Sequence, residues 1–290
     1  MDDKVLLAAL RKLHARTPLP ASQLTAAQRR ELDRFARQTG AVSCQRQGRG
    51  DCYLVANPVL FITHLTSLSP GLAMTVDNPV PPRARHIADA RDSKAGVHRH
   101  PHYYLLIKAV GEEVVWREAK RSIELPLGHA TRHFGAATLA IDANDAWSSD
   151  YDLWLVENQA LFDRTDWLPI DTGVTVAYYG GQINGILLNW LGSRRRARRV
   201  MHFPDYDGVG LANFSRLHAL LDDACQFWLM PDWAKKLDQY GSTQLWRDTM
   251  RDFNRARPRL PDYLAPLAAQ MSQSGRALEQ EAVWLPAVDK

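Results

Sequence analysis

The chain has 290 residues, 46% of them hydrophobic, enough for a sizeable core and for two or three domains. Its 36 Lys+Arg against 32 Asp+Glu leave a net charge of only +4, which excludes a chain-wide basic field and makes nucleic-acid contact a matter of local clusters. No apolar run approaches the roughly 18 residues of a membrane helix, so no membrane partner is expected.

Met1-Asp2-Asp3-Lys4 is acidic and leads into an amphipathic helix rather than a signal peptide, so a cytoplasmic protein is expected. Val5, Leu6, Ala9, Leu10 and Leu13 recur at helical spacing over residues 3–16, and Thr17-Pro18-Leu19-Pro20 breaks the pattern. Thr25 caps a second helix over 26–38, with Gln28 as its capping-box partner and Gly40 at its end. Leu32, Phe35 and Ala36 line the inner face of that helix; Arg29, Arg30, Arg34 and Arg37 lie outside. Residues 41–44 and 52–55 read as two strands around a Gly- and Arg-rich tip carrying Arg46 and Arg49. Cys44, Cys52 and Cys225 are odd in number with no CxxC pair, which reads as free thiols. Helices followed by such a hairpin look like a winged helix, assigned to residues 1–68. Arg30, Arg34 and Arg37 on the second helix and Arg46 and Arg49 at the wing then face double-stranded DNA. A small protein-binding domain with solvated arginines is the competing reading.

Residues 69–148 are expected to hold a basic linker and a β-rich connecting region. Pro70, Pro79, Pro81 and Pro82 mark a long connection, made basic by Arg83, Arg85, Arg91, Lys94 and Arg99. His98, His100 and His102 alternate, but Pro101 interrupts them and no fourth ligand is evident, so a polar strand entry outweighs a zinc site. Strands are expected over 103–110, 113–116, 122–125 and 136–141.

From residue 149 the pattern is α/β. Strands are expected over 152–156, 174–179, 200–203 and 225–229, and helices over 184–191 and 210–221, which implies a mostly parallel sheet. Two of these strands end in acid: Leu153-Trp154-Leu155-Val156 at Glu157, and Met201-His202-Phe203 at Asp205 and Asp207. In open α/β sheets the functional crevice lies at the carboxyl ends of the strands. Glu157, Asp205 and Asp207 are therefore expected to converge as an oxygen cage for Mg2+ or Mn2+. A helix cap or a surface charge is the plain alternative for any one of them. Arg194, Arg195, Arg196, Arg198 and Arg199 precede the Asp205 strand at its amino end, a place suited to flanking DNA or an acidic partner rather than to a scissile phosphate. His202 alternates with Phe203, and no histidine is required as a base.

A Glu, then Gly180-Gly181, then Asp205-Tyr206-Asp207 resembles the Toprim domain over residues 150–232. The whole layout, winged helix before Toprim, is similar to the topoisomerase VI A subunit and to the nuclease subunit of the Wadjet plasmid-defence systems. The resemblance implies a Rossmann-like catalytic domain over 149–290 in which Glu157, Asp205 and Asp207 bind Mg2+ and catalyse phosphodiester hydrolysis. It implies a homodimer acting on DNA, and dependence on an SMC-like ATPase and kleisin complex in anti-plasmid or anti-phage defence. Leu278-Glu279-Gln280-Glu281-Ala282 looks like the Wadjet subunit's C-terminal acidic helix, which offers Glu281 as a second-metal ligand; a solvated helical face competes with that. Tyr53 is the only tyrosine in the winged-helix region and does not match the setting of a topoisomerase nucleophile, which favours water as the attacking group. A DNA-binding regulator or partner-binding subunit without cleavage activity, and a primase or RNA-cleaving toxin on the same core, are the alternatives.

Overall fold

The computed structural model describes residues 2–48, 50–73, 80–90, 92, 100–111, 113–170 and 173–287. The chain divides into two compact units, Met1–Arg99 and His100–Lys290. Among the described residues no helix is long and apolar enough to cross a membrane.

The first unit runs α1 (Asp3–Ala15), β1 (Leu19–Pro20), α2 (Ala26–Thr39), β2 (Val42–Gln47), β3 (Gly50–Val55), α3 (Pro58–Leu68) and α4 (Pro82–Ala90). Its antiparallel sheet has the order β1-β3-β2. Local signals set α2: Thr25 Oγ1 accepts from the Gln28 N–H at 3.2 Å, Gln28 Oε1 accepts from the Thr25 N–H at 3.2 Å, and Gly40 stops the helix at φ +65°. Leu6, Leu10, Leu13, Leu32 and Phe35 form the core between α1 and α2. The prolines from 70 to 82 read as a long connection, yet α4 starts at Pro82, and α3 stands just before Pro70. Asn57 caps α3 by accepting from the Leu60 N–H, and Pro58 supplies the preset φ of a first helical turn, so this proline starts a helix rather than breaking one.

The second unit adds β4 (Tyr103–Val110), β5 (Val115–Glu118), β6 (Ile123–Pro126), α5 (Leu127–Phe134), β7 (Ala137–Ile141), β8 (Trp147–Ser148), β9 (Asp152–Val156), α6 (Gln159–Asp163), β10 (Val174–Tyr178), α7 (Gly185–Ser193), β11 (Val200–Phe203), α8 (Gly208–Leu221), β12 (Cys225–Phe227), α9 (Trp233–Tyr240), α10 (Thr243–Ala256) and α11 (Ala265–Ser274). The main sheet has the order β12-β11-β9-β10-β4-β7. β12, β11, β9 and β10 are parallel; β4 and β7 run antiparallel at one side. The sheet is thus mixed, and the strands expected to form a separate connecting region belong to the unit that starts at His100. β5 pairs with β6 and β8 in a small second sheet.

Central position explains the continuous apolar run of β9. It lies between β10 and β11, and all five of its residues are buried. β9 and β11 are in register, Val156 beside Phe203, so the loops that follow them leave the sheet side by side. α8 lies close against α10. A Cβ at Gly208 would collide with the Thr249 carbonyl oxygen, and the Gly208 N–H donates to Thr249 Oγ1 at 3.1 Å. The glycine after Asp207 is therefore required by packing, whatever the acid does.

Candidate metal centre

Glu157 follows the last residue of β9, and Asp205 lies two residues beyond β11. Asp207 caps α8, its Oδ1 accepting from the Gly210 N–H at 2.7 Å. The fourth acid comes from the far end of the chain. Tyr206 and Leu278 form an antiparallel bridge, Tyr206 N–H to the Leu278 carbonyl at 2.7 Å and Leu278 N–H to the Tyr206 carbonyl at 3.1 Å. That bridge lays residues 278–281 alongside the Asp205 loop. The expected acidic helix is instead a 3-10 turn, Gln280–Trp284, because Leu278 is held extended by Tyr206. Glu279 is exposed and Glu281 half-buried.

Two amides join the acids. Asn158 Nδ2 donates to Asp205 Oδ1 at 3.3 Å and to Glu281 Oε2 at 3.0 Å. The Gln280 N–H donates to Asp205 Oδ1 at 2.9 Å, and Gln280 Oε1 accepts from the Asn158 N–H at 3.3 Å. Behind Glu157, the Tyr179 hydroxyl lies 3.2 Å from Oε2 and 3.0 Å from His202 Nε2. Tyr179 leads into Gly180 and Gly181, both left-handed at φ +62° and +63°, a turn that favours glycine twice in succession. Asn213 fixes that turn by donating to the Gly181 carbonyl and accepting from the Ile183 N–H.

Burial and neighbouring acids set the electrostatics of the carboxylates. Burial pushes the Glu157 carboxyl up to about 8, and the charges of Asp205 and Asp207 add to the effect. Burial likewise pushes Asp205 up to about 7, against the Gln280 N–H, with Asp207, Glu281 and Glu279 adding repulsion. Asp207 is raised, chiefly by burial. The charges acting most strongly on Glu157 and Asp205 are other acids.

Among the described residues no group of three or more His, Cys, Asp or Glu side chains is placed to hold a metal ion, so Glu157, Asp205 and Asp207 do not close into the expected oxygen cage. The donor chemistry nonetheless fits a hard divalent cation. Mg2+ takes oxygen ligands, keeps several waters and needs only one or two protein carboxylates. Glu157, Asp205 and Asp207 supply those, with Glu281 beside them through Asn158.

The arginines fall into different classes. Arg196 was expected at a phosphate, but it is buried. It pairs with Asp145 at 2.9 Å, donates to the carbonyls of Trp190, Asp145 and Trp147, and lies 4.5 Å over the Trp190 ring. That expectation is corrected: Arg196 is a core residue. Arg198 and Arg199 both pair at 2.8 Å with the buried Asp152 at the start of β9, while their side chains stay half-exposed. Arg195 donates to the carbonyls of Ala197 and Arg198, and Arg194 is exposed. All five lie before β11, at the opposite end of the parallel strands from Asp205. In the first unit Arg30 and Arg34 flank the buried Glu31 at 3.9 and 3.5 Å, Arg37 is exposed in the last turn of α2, and Arg46 is exposed on β2. Arg49 lies outside the described residues, as do His98, Arg91, Lys94 and Arg99. Tyr53 is buried and its hydroxyl donates to Asp33 at 2.7 Å, a packing role. Cys44, Cys52 and Cys225 are free thiols.

Asn158, Tyr179 and Gln280 carry no role in the sequence reading. Asn158 and Tyr179 stand at strand ends beside the acids, a positional signal; nothing local marks Gln280, which arrives from 75 residues beyond Asp205. No protein-family model and no curated protein matches this chain.

Proposed function

We propose that the protein is a metal-dependent phosphodiester hydrolase acting on DNA, of the Toprim class its acid pattern resembles. The observation that carries this reading is the placing of Glu157, Asp205 and Asp207 beyond the carboxyl ends of β9 and β11, with Glu281 joined to Asp205 through Asn158; burial raises the first three, and neighbouring acids add to it at Glu157 and Asp205. Buried like charges of this kind are unfavourable in an apoprotein and mark a functional site better than a structural one.

Glu157, Asp205 and Asp207 would hold Mg2+ or Mn2+, with Glu281 next to a second position. A bound divalent cation supplies an activated water and neutralises charge on the leaving oxygen. The chain's own residues supply the rest. Asp205 is oriented by the Gln280 N–H and Asn158 Nδ2, which leaves its other oxygen for a ligand. Asp207 is fixed by its cap to α8, and Glu157 by Tyr179. Among the described residues no imidazole stands in the cluster as a base: His202 is wholly buried and held down to about 3 by burial and by Arg216, so it stays neutral. Water is the nucleophile in this reading, because the hydroxyl of Tyr53 is engaged by Asp33. The exposed Arg37 and Arg46, in a first unit read as a winged helix, and Arg194 and Arg195 are the proposed phosphate contacts. A homodimer and an SMC-like partner complex belong to the same proposal.

The test is incubation of the full chain with supercoiled and linear plasmid in Mg2+ or Mn2+, beside Asp205→Ala. Metal-dependent nicking or linearisation absent from the variant is the expected result. DNA binding without cleavage, unchanged by the substitution and by added metal, would favour a DNA-binding regulator.

A further inference from the structure

Tyr179 and His202 form a buried pair directly behind Glu157. The Tyr179 hydroxyl has one hydrogen to give and three neighbours: Glu157 Oε2 at 3.2 Å, His202 Nε2 at 3.0 Å and the Asn213 side chain, whose amide donates to the phenol oxygen. Neutral imidazole carries one donor and one acceptor nitrogen. Two arrangements satisfy the geometry. In one, Tyr179 donates to His202; the imidazole proton then sits on Nδ1. That nitrogen is buried with no hydrogen-bond partner, so the arrangement strands an N–H donor. In the other, His202 Nε2–H donates to the phenol oxygen and Tyr179 O–H donates to Glu157. Only an acceptor lone pair on Nδ1 is then left without a partner. Buried orphan N–H groups are rarer and more costly than under-satisfied acceptors, so the second arrangement prevails.

The ring that anchors this chain cannot swing away. His202 is 0% exposed, it stacks on Phe214 at 6.1 Å, and the Phe227 ring meets it edge-on at 6.2 Å. Its backbone lies in β11, whose loop carries Asp205 and Asp207. A single strand therefore places two of the acids and, through His202 and Tyr179, orients a third on the neighbouring strand.

We infer that Tyr179 and His202 are positioning residues: His202, as the Nε2–H tautomer, directs the Tyr179 hydroxyl onto Glu157 and presents that carboxylate to a divalent cation. This rests on the metal-centre reading above. Partners of this kind, one step removed from the metal, typically change affinity by about 10- to 100-fold when lost.

The experiment is calorimetric titration of Mn2+ into the full chain, wild type against Tyr179→Phe, His202→Leu and His202→Gln, with imidazole 15N spectra of the metal-free wild type. A long-range 1H–15N spectrum is expected to show His202 protonated at Nε2 and bare at Nδ1. Tyr179→Phe and His202→Leu are expected to weaken Mn2+ binding about tenfold or more. His202→Gln keeps an N–H near the Nε2 position and is expected to restore most of the affinity, which a purely structural role would not produce. Circular dichroism checks that each variant is folded; should His202→Leu fail to fold, Tyr179→Phe and the tautomer decide the matter. A proton on Nδ1, or unchanged Mn2+ affinity in Tyr179→Phe, would overturn the inference while leaving the metal centre standing. No Mn2+ binding by the wild type would overturn the metal centre itself, and the presentation of Glu157 to a cation with it.

Discussion

Asp152 and Asp205 stand at opposite ends of the same parallel strands, both drawn into the protein, and their surroundings differ completely. Burial works against the Asp152 carboxylate, but Arg198 and Arg199 outweigh it and hold the group below the ordinary aspartate range. Burial works against Asp205 as well, and there Asp207, Glu281 and Glu279 add to it, raising the group to about 7. One end of the sheet is a closed set of ion pairs, Asp152 with two arginines and Asp145 with Arg196. The other end is a set of acids joined by amides. The same residue type thus pairs with arginines at the amino end and meets other acids at the carboxyl end, where the proposed function places a cation. Charge pairing, more than burial, separates the two roles.

The largest expected effect tests the closed end. Arg196→Ala leaves Asp145 buried without its cation and should lower stability by roughly 3–5 kcal/mol, read by urea denaturation. A loss below about 1 kcal/mol would mean that the amino end is not the closed ion-pair set described above.

Next in size is the pH dependence of the open end. Folded Glu157 and Asp205 titrate near 8 and 7, above their unfolded values. Groups raised in this way bind more protons in the folded state, so their stabilisation is complete below about pH 4 and is lost as pH rises through the folded values. The metal-free chain should lose roughly 2–4 kcal/mol between about pH 5 and pH 8, and saturating Mg2+ should flatten that slope because it binds the deprotonated acids. Asp152 has the opposite sign: its contribution is present above the unfolded aspartate value and lost only in stronger acid. A metal-free stability that rises from pH 5 to pH 8 would contradict the assignment of the open end.

The smallest effect concerns the arginines left over at the closed end. Arg194 is exposed and Arg195 bonds only to main-chain carbonyls, so Arg194→Ala with Arg195→Ala should leave stability within about 0.5 kcal/mol. If they contact phosphates, the slope of log affinity against log salt should fall by about 2 on duplex DNA, measured by fluorescence anisotropy. An unchanged slope would remove them from the proposed interface.

Much of this was legible in the sequence wherever the cause is local. The Thr25–Gln28 box and Gly40 bound α2, and the apolar runs of β9 and β11 were placed by their burial on both faces. The acids at their ends could be named because strand ends are local features. What the sequence hid depends on distant partners. A run of five arginines reads as solvent-facing, but Arg196, Arg198 and Arg199 meet acids 46 to 51 residues away. Residues 278–281 have a helical composition, yet the bridge from Leu278 to Tyr206 holds them extended into a 3-10 turn. β4 and β7 alternate like strands of a half-exposed region, and only the pairing of β4 with β10, and of β7 with β4, draws them into the main sheet.

The most direct test of the contrast is one substitution made at both ends. Urea unfolding of Asp152→Asn and Asp205→Asn would be followed at about pH 8, with and without millimolar Mg2+. Asp152→Asn should cost roughly 1–3 kcal/mol and keep the stabilisation that Mg2+ gives the wild type. Asp205→Asn relieves repulsion and keeps an oxygen to accept from Gln280, so the metal-free chain should gain about 1 kcal/mol and lose the response to Mg2+. If Asp205→Asn destabilises the chain as Asp152→Asn does, and Mg2+ stabilises both variants alike or neither of them nor the wild type, the carboxyl end is not a site prepared for a cation.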